Sequence, residues 1–499
     1  MEGYLVEVEA DVSNGLPGFH MVGCLASEVK EAEERVRTAI RNSGFQLPSR
    51  KVTINLSPAN VRKDGTGWDL AVAVAVLAAY GIVNPLILKD TAFLGELGLD
   101  GRIKPVRGVL SLMMVLGKAG IRRCFLAEEN GKEGLAARTV EIVKIRDLKE
   151  LAVLLNAPEQ IQKEIFLEDS DVKISYSVDF SEVHGQKLLR RATEVAVAGR
   201  HNILYIGPPG SGKSMMARRI PTIMPELSRK EQLEVSQVYS ICGLLPNGGE
   251  LMKIRPFRSP HHTISPQALT GGGKRPRPGE ISLASRGVLF LDELPEFQKK
   301  TLEILRQPME DRKITISRVY GACEFPAHFM LAAAMNPCPC GYFPDKNRCS
   351  CTEHQVRQYL RKISRPLLDR IDICVEAAAV SYQDIRSGAA GESSEDIRQR
   401  VEEARSIQAL RFSGTGILFN SEMGEGEIRR YCRLQPKDDA FLQQVFGRMG
   451  LSARGCHKIL RVARTIADLE GATTIGRNHL IEAVGYRELE EQYWGKEGR

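Results

Sequence analysis

Over the first 155 residues the apolar and polar positions switch repeatedly between two periods. Leu5 to Ala10 and Lys51 to Leu56 alternate residue by residue, which predicts strands with one buried face. Glu28 to Asn42 sets Val29, Ala32, Val36, Ala39 and Ile40 at helical spacing among charged residues, which predicts an amphipathic helix. Together these patterns predict a compact α/β domain over 1–155. Residues 156–179 are polar and acidic with little periodicity, and read as a linker. From about residue 180 the apolar positions gather into short unbroken runs. Asn202 to Ile206, Gly287 to Leu291 and Phe329 to Met335 read as buried strands of an open α/β sheet, and the first has helical patterns on both sides, Lys187 to Ala198 and Met215 to Ile220. Lys313 to Phe325 alternates around Gly321 and predicts a hairpin. This second α/β region extends over 180–381. Residues 382–499 predict a helical domain behind the flexible lead-in Gly388 to Ser394. One of its helices opens at Ser452, the expected N-cap, with Arg461 and Arg464 expected on a solvated basic face.

Composition narrows the class. No run of about 18 apolar residues occurs, so no membrane helix is expected. The first residues lack a basic segment followed by an apolar one, so a cytoplasmic location is expected. In that compartment the eleven cysteines are thiols or metal ligands rather than disulfides. The net charge of +7 is a weak sign of an anionic partner. Its distribution is stronger, because 251–279 holds Lys253, Arg255, Arg258, Lys274, Arg275 and Arg277 with no Asp or Glu.

The chemistry centres on Gly207-Pro208-Pro209-Gly210-Ser211-Gly212-Lys213-Ser214, between an apolar strand and a helix. This is the phosphate-loop pattern in its required context. Glycines let backbone N–H groups turn toward phosphate oxygens, Lys213 reaches the β/γ phosphates, and Ser214 holds Mg²⁺. Asp292 and Glu293 end a later apolar run. Asp292 is expected to bind Mg²⁺, and Glu293 to activate the attacking water. Asn336 ends a third run and is the expected water-positioning residue. ATP and Mg²⁺ are therefore the expected cofactors.

Two resemblances add to this reading. Asn55 to Leu70 resembles the active-site segment of Lon-type proteases, and Gly95 to Gly108 the segment leading to their catalytic lysine. The nucleophile position falls on Gly67 and the lysine position near Leu110. A Ser–Lys dyad needs a hydroxyl beside an amine, so no peptide cleavage is expected. Lys63, Asp64, Glu96 and Arg102 are read as structural, and a first strand of the usual Lon-like domain is expected to be missing. Leu367-Leu368-Asp369-Arg370-Ile371-Asp372 resembles an element of magnesium-chelatase and MCM-type AAA+ ATPases, and Arg255 to Thr263 with Gly279 to Ala284 is specific to the chelatase-like group. With the Lon-like domain in front, the chain resembles the YifB/ComM family. That resemblance implies Arg370 as an arginine finger acting on a neighbouring subunit and Arg454 as a second arginine acting in cis. It also implies a Val183-to-Gln186 turn touching adenine, and a helical lid over 382–499. As a whole it implies a homo-hexameric ATPase motor on DNA, a branch-migration helicase in recombination or natural transformation. A chelatase motor subunit and a protein remodeller are the alternative functions.

Three segments are expected near substrate. Lys274, Arg275 and Arg277 suit phosphate contact, or form a solvated loop. Arg318 and Tyr320 of the hairpin suit either strand contact or sheet packing. Cys338, Cys340, Cys349 and Cys351 form two C-x-C pairs that suit structural zinc, or are four reduced thiols. Arg348 among them makes a basic protrusion for DNA. His261 and His262 are read as packing or hydrogen-bonding residues.

Overall fold

The computed structural model describes residues 3–162, 175–273, 276–318, 321–379 and 391–495. The chain forms two compact units. The first comprises Met1–Val172, Arg229–Met252 and Thr315–Glu324; the second comprises Lys173–Ser228, Lys253–Ile314 and Phe325–Arg499. Two pieces of the expected 180–381 region thus group with the first unit, while the helical C-terminal region shares the second with the sheet of the phosphate loop. Most of the expected linker, 163–174, lies outside the described residues.

In the first unit, Lys51–Ser57 is the central strand of a three-stranded sheet, antiparallel to Glu7–Ser13 and parallel to Gly18–Val22. Its alternation is realised, with Val52, Ile54 and Leu56 buried. The helical spacing over 28–42 becomes the helices Ser27–Lys30 and Ala32–Asn42, whose buried positions are Val29, Ala32, Val36, Ala39 and Ile40. A second sheet orders Thr91–Leu94, Arg123–Ala127 and Glu141–Ile145 in parallel. The helix Asp69–Ala79 is apolar on nearly every side and lies in the core, as such a helix must. The helix Arg229–Cys242 joins this unit, and Arg229 donates to the Ala136 carbonyl at 2.7 Å.

The second unit is organised by a five-stranded parallel sheet, ordered Phe257–Arg258, Val288–Leu291, Met330–Met335, Ile203–Ile206, Ile373–Glu376. The three central strands are buried throughout, which explains their unbroken apolar runs. Ile206 lies beside Met335 and Glu376, so Gly207, Asn336 and Asp292 leave the sheet along one edge. Asn202, Phe329 and Asp372 precede their strands along the other. From Asn202 to Gly207 the strand rise separates the two edges by roughly 16 Å.

Ser452 caps the helix Ala453–Leu469 as expected, accepting from the Gly455 N–H at 3.1 Å. The expected solvated face of that helix is not there. Arg464 is buried, bonded to Asp468 at 3.1 Å and to the Thr473 carbonyl at 3.0 Å. The helix packs against both Lys187–Gly199 and Arg477–Trp494, so its polar side is enclosed too. Among the described residues no helix is long and apolar enough to cross a membrane.

Candidate functional site

The phosphate loop begins where the buried strand Ile203–Ile206 ends. Gly207 has no room for a side chain, because an added Cβ would stand 2.3 Å from the Ala377 carbonyl oxygen. Gly210 and Gly212 have φ of +75° and +83°, a conformation that favours glycine. They turn the chain into the helix Lys213–Ile223. Lys213 folds back over the loop, and its ammonium donates to the carbonyls of Gly207 and Pro208 at 2.7 and 2.8 Å and to Asn336 Oδ1 at 3.2 Å. Burial lowers its pKa to about 8. Ser214 Oγ donates to Asp292 Oδ2 at 2.6 Å. One sheet edge thus gathers an ammonium, a hydroxyl–carboxylate pair, an amide and a glycine loop at a helix N-terminus. That donor set fits a Mg²⁺-bound triphosphate.

Glu293 follows Asp292 in the left-handed region, with φ +52°, and its side chain is exposed. His262 Nδ1 lies 3.4 Å from Glu293 Oε2, and its ring packs against His261 at 4.1 Å and edge-on to Phe297. The expected packing histidine therefore touches the expected base. Only the neighbouring edge strand Phe257–Arg258 reveals this, since His262 and Glu293 are far apart in sequence. Val183 is buried, and Gln186 donates through Nε2 to the Ser211 carbonyl at 3.2 Å and to that of Ala378. This turn accordingly lies against the phosphate loop.

Arg370 and Arg454 stand at the opposite edge. They line one cavity of about 330 Å³ together with Arg200, Arg312, Lys458 and Arg461. Arg370 pairs with Glu310 at 2.5 Å. Lys458 donates to the Ile371 carbonyl at 2.9 Å, and burial lowers its pKa to about 8. Arg454, expected to serve its own phosphates, lines the same cavity as Arg370.

The four cysteines converge. Their Sγ atoms all lie within 4.8 Å of one another, with Cys338 at 3.3 Å from Cys340 and 3.8 Å from Cys349. Around tetrahedral zinc with bonds of about 2.3 Å, sulfurs stand about 3.8 Å apart. Arg348 stacks on Tyr342 at 4.1 Å. Arg277 is exposed in a short strand pair, and Lys274 and Arg275 lie outside the described residues. The hairpin is present as Lys313–Arg318 and Gly321–Pro326, with Arg318 ending its first strand; Tyr320 lies outside the described residues.

At the Lon-like positions of the first unit, the buried and half-buried polar groups bond within the unit. Leu110 is buried at a helix start whose N–H donates to Glu133 at 2.9 Å. Lys63 is fully buried and donates to the Pro58 carbonyl, and Thr66 donates to Glu96.

A parallel sheet with a phosphate loop and acids at one edge and arginines at the other defines an AAA+ nucleotide-binding protein of the magnesium-chelatase type. Family models agree. Residues 8–130 match subunit ChlI of Mg-chelatase, 179–385 match magnesium chelatase, subunit ChlI, and 391–487 match the ChlI C-terminal region. The competence protein ComM of Haemophilus influenzae is 40% identical over 490 residues, covering 97% of this chain and 95% of the relative. YifB of Escherichia coli is 40% identical over 487 residues, covering 97% and 94%. A Lon protease of Trichlorobacter lovleyi is 23% identical over 164 residues, covering 30% of this chain and 20% of the relative. The chain belongs to the YifB/ComM family of magnesium-chelatase-like AAA+ proteins, and membership implies ATP and Mg²⁺.

Proposed function

We propose that this protein is an ATP-hydrolysing motor that works as a homo-hexameric ring on DNA, as a branch-migration helicase in recombination or natural transformation. The observation that carries the reading is the division of one ATPase apparatus between two sheet edges. Lys213, Ser214, Asp292, Glu293 and Asn336 stand at one, and Arg370 and Arg454 at the other. Arginines at the edge opposite their own phosphate loop act on the loop of a second copy. A head-to-tail contact of that kind closes into a ring.

Ser214 and Asp292 would hold Mg²⁺, which would neutralise phosphate charge. Glu293 takes the proton of the attacking water, and Asn336 orients that water. Lys213 exchanges its carbonyl partners for phosphate oxygens. Arg370 of the neighbouring copy leaves Glu310 and stabilises charge that develops on the γ-phosphoryl group. Gln186 and Val183 hold the adenine side. Zinc on Cys338, Cys340, Cys349 and Cys351 makes a stapled protrusion, and Arg348 with the 274–277 segment and Arg318 supplies phosphate contacts. The DNA reading is supported by similarity to a competence protein and by the acid-free basic segment.

The test is Glu293→Gln, which is expected to trap ATP and bind DNA more tightly than Lys213→Ala. Wild-type ATP turnover should rise with DNA at low salt, and a labelled Holliday junction should migrate. Turnover indifferent to DNA, with no junction migration, rejects the motor reading. The chelatase-type matches along the chain favour a second reading, a chelatase motor subunit. Co-purification of a chelatase body would support it.

A further inference from the structure

The cysteine cluster is joined to the nucleotide site at two points. Asn336, which accepts from Lys213 at 3.2 Å, is two residues before Cys338. Gly341 backs directly onto the phosphate loop: a Cβ added there would stand 2.5 Å from Pro209 Cδ and 3.8 Å from Asn336 Cγ. Its φ of +88° holds the chain in that approach.

The segment between these points takes its shape from the sulfurs. Cys338 is fully buried, and its Sγ accepts the N–H groups of Gly341 at 3.2 Å and Phe343 at 3.4 Å. Donation of this kind orients the sulfur as a ligand. Residues 337–351 contain no helix or strand. Phe343, near Tyr493 at 6.2 Å, is among the few apolar side chains available to anchor them. A loop with so little core is the kind of segment that a metal crosslink orders.

We propose that the four-cysteine centre is a brace of the ATPase site, in which a thiophilic d¹⁰ cation, zinc, fixes the loop that seats Pro209 and Asn336. This rests on the zinc and ATPase readings above and adds a coupling between them. Cys338 and Gly341 are positioning residues. Neither touches the nucleotide, and both act through Asn336 and the phosphate loop. Occupancy of the centre sets the catalytic geometry, and nucleotide binding in turn alters the environment of the sulfurs.

The experiment uses the full chain. Zinc content is measured by mass spectrometry in the wild type and in Cys349→Ser/Cys351→Ser, which removes the two ligands farther in sequence from Asn336. The variant is expected to lose the metal, to keep its helical circular dichroism, and to lose about 10²-fold in kcat, the scale of an ångström-sized misplacement of reacting groups. Because the variant can also fail by unfolding, a second measurement is made on the wild type with Co²⁺ in place of zinc. The thiolate-to-Co²⁺ absorption band should shift on saturation with a non-hydrolysable ATP analogue, and should not shift in Lys213→Ala. A zinc-free variant with wild-type kcat overturns the brace, and so does a cobalt band unmoved by nucleotide in the wild type. Absence of any bound metal also overturns it, while leaving the ATPase reading to its own test, the turnover of the wild type.

Discussion

The two units hold two sets of catalytic positions, and they have opposite fates. In the first, the Lon-like positions carry Gly67 and buried Leu110, and Lys63, Thr66 and Glu96 spend their hydrogen bonds on the fold. Asp69 is fully buried and held by Arg35 through two bonds, at 2.9 and 3.0 Å. In the second unit, Lys213, Ser214, Asp292, Glu293 and Asn336 also bond to their own chain, but around a glycine loop that opens a helix. Polar groups alone therefore do not make a site. A site needs groups whose partners a substrate can replace.

The largest break in this comparison is expected from Arg370→Ala. Ring turnover should fall by about 10³–10⁵-fold, the range of an arginine finger. ATP affinity of the separated subunit should be unaffected, which equilibrium binding of a fluorescent ATP analogue would check.

Asp69→Asn acts on the first unit alone. Removing one charge of a buried bidentate pair should cost about 3 kcal/mol of stability, seen as a lower denaturation midpoint. ATP affinity should stay within about twofold, since Asp69 bonds to Arg35 and Leu97 of its own unit and shares no partner with the phosphate loop. A large loss of affinity would mean that the two units are not separable in this way.

The smallest effect concerns pH. Burial depresses the folded-state pKa of Lys213 to about 8, below the 10.5 of a freely solvated lysine. Between those values the unfolded chain binds more protons, so this group adds stability as pH rises from about 8 to 10.5. Below about 8 its cost is fully present. Lys213→Met should therefore raise the melting temperature of the nucleotide-free protein at pH 7, and raise it less at pH 10. An equal gain at both pH values would contradict the burial.

What was legible in the sequence was local. The phosphate loop, the acids after an apolar run and the paired C-x-C motifs are contiguous, so each stands out by its local pattern. The strands Ile203–Ile206, Val288–Leu291 and Met330–Met335 were legible because burial on both faces leaves an unbroken apolar run. Contacts between distant segments were not legible. His262 reaches Glu293 through a two-residue edge strand, and Glu310 meets Arg370 across sixty positions. Arg464 was misread because helical periodicity reports one apolar face, whereas its helix is enclosed on more than one side. That Arg454 shares a cavity with Arg370 was not legible either, because a helix start does not say which sheet edge it meets.

The central claim is that one ATPase site is shared between copies, and a mixing experiment tests it most directly. Lys213→Ala keeps the arginines and loses the phosphate loop; Arg370→Ala does the reverse. Each alone should be inactive. Mixed one to one, about a quarter of the sites in a random head-to-tail ring pair an intact loop with an intact arginine, and turnover should return to about that fraction of wild type. If the mixture stays as inactive as its components while subunits demonstrably exchange, Arg370 does not serve a neighbour and the shared site is wrong.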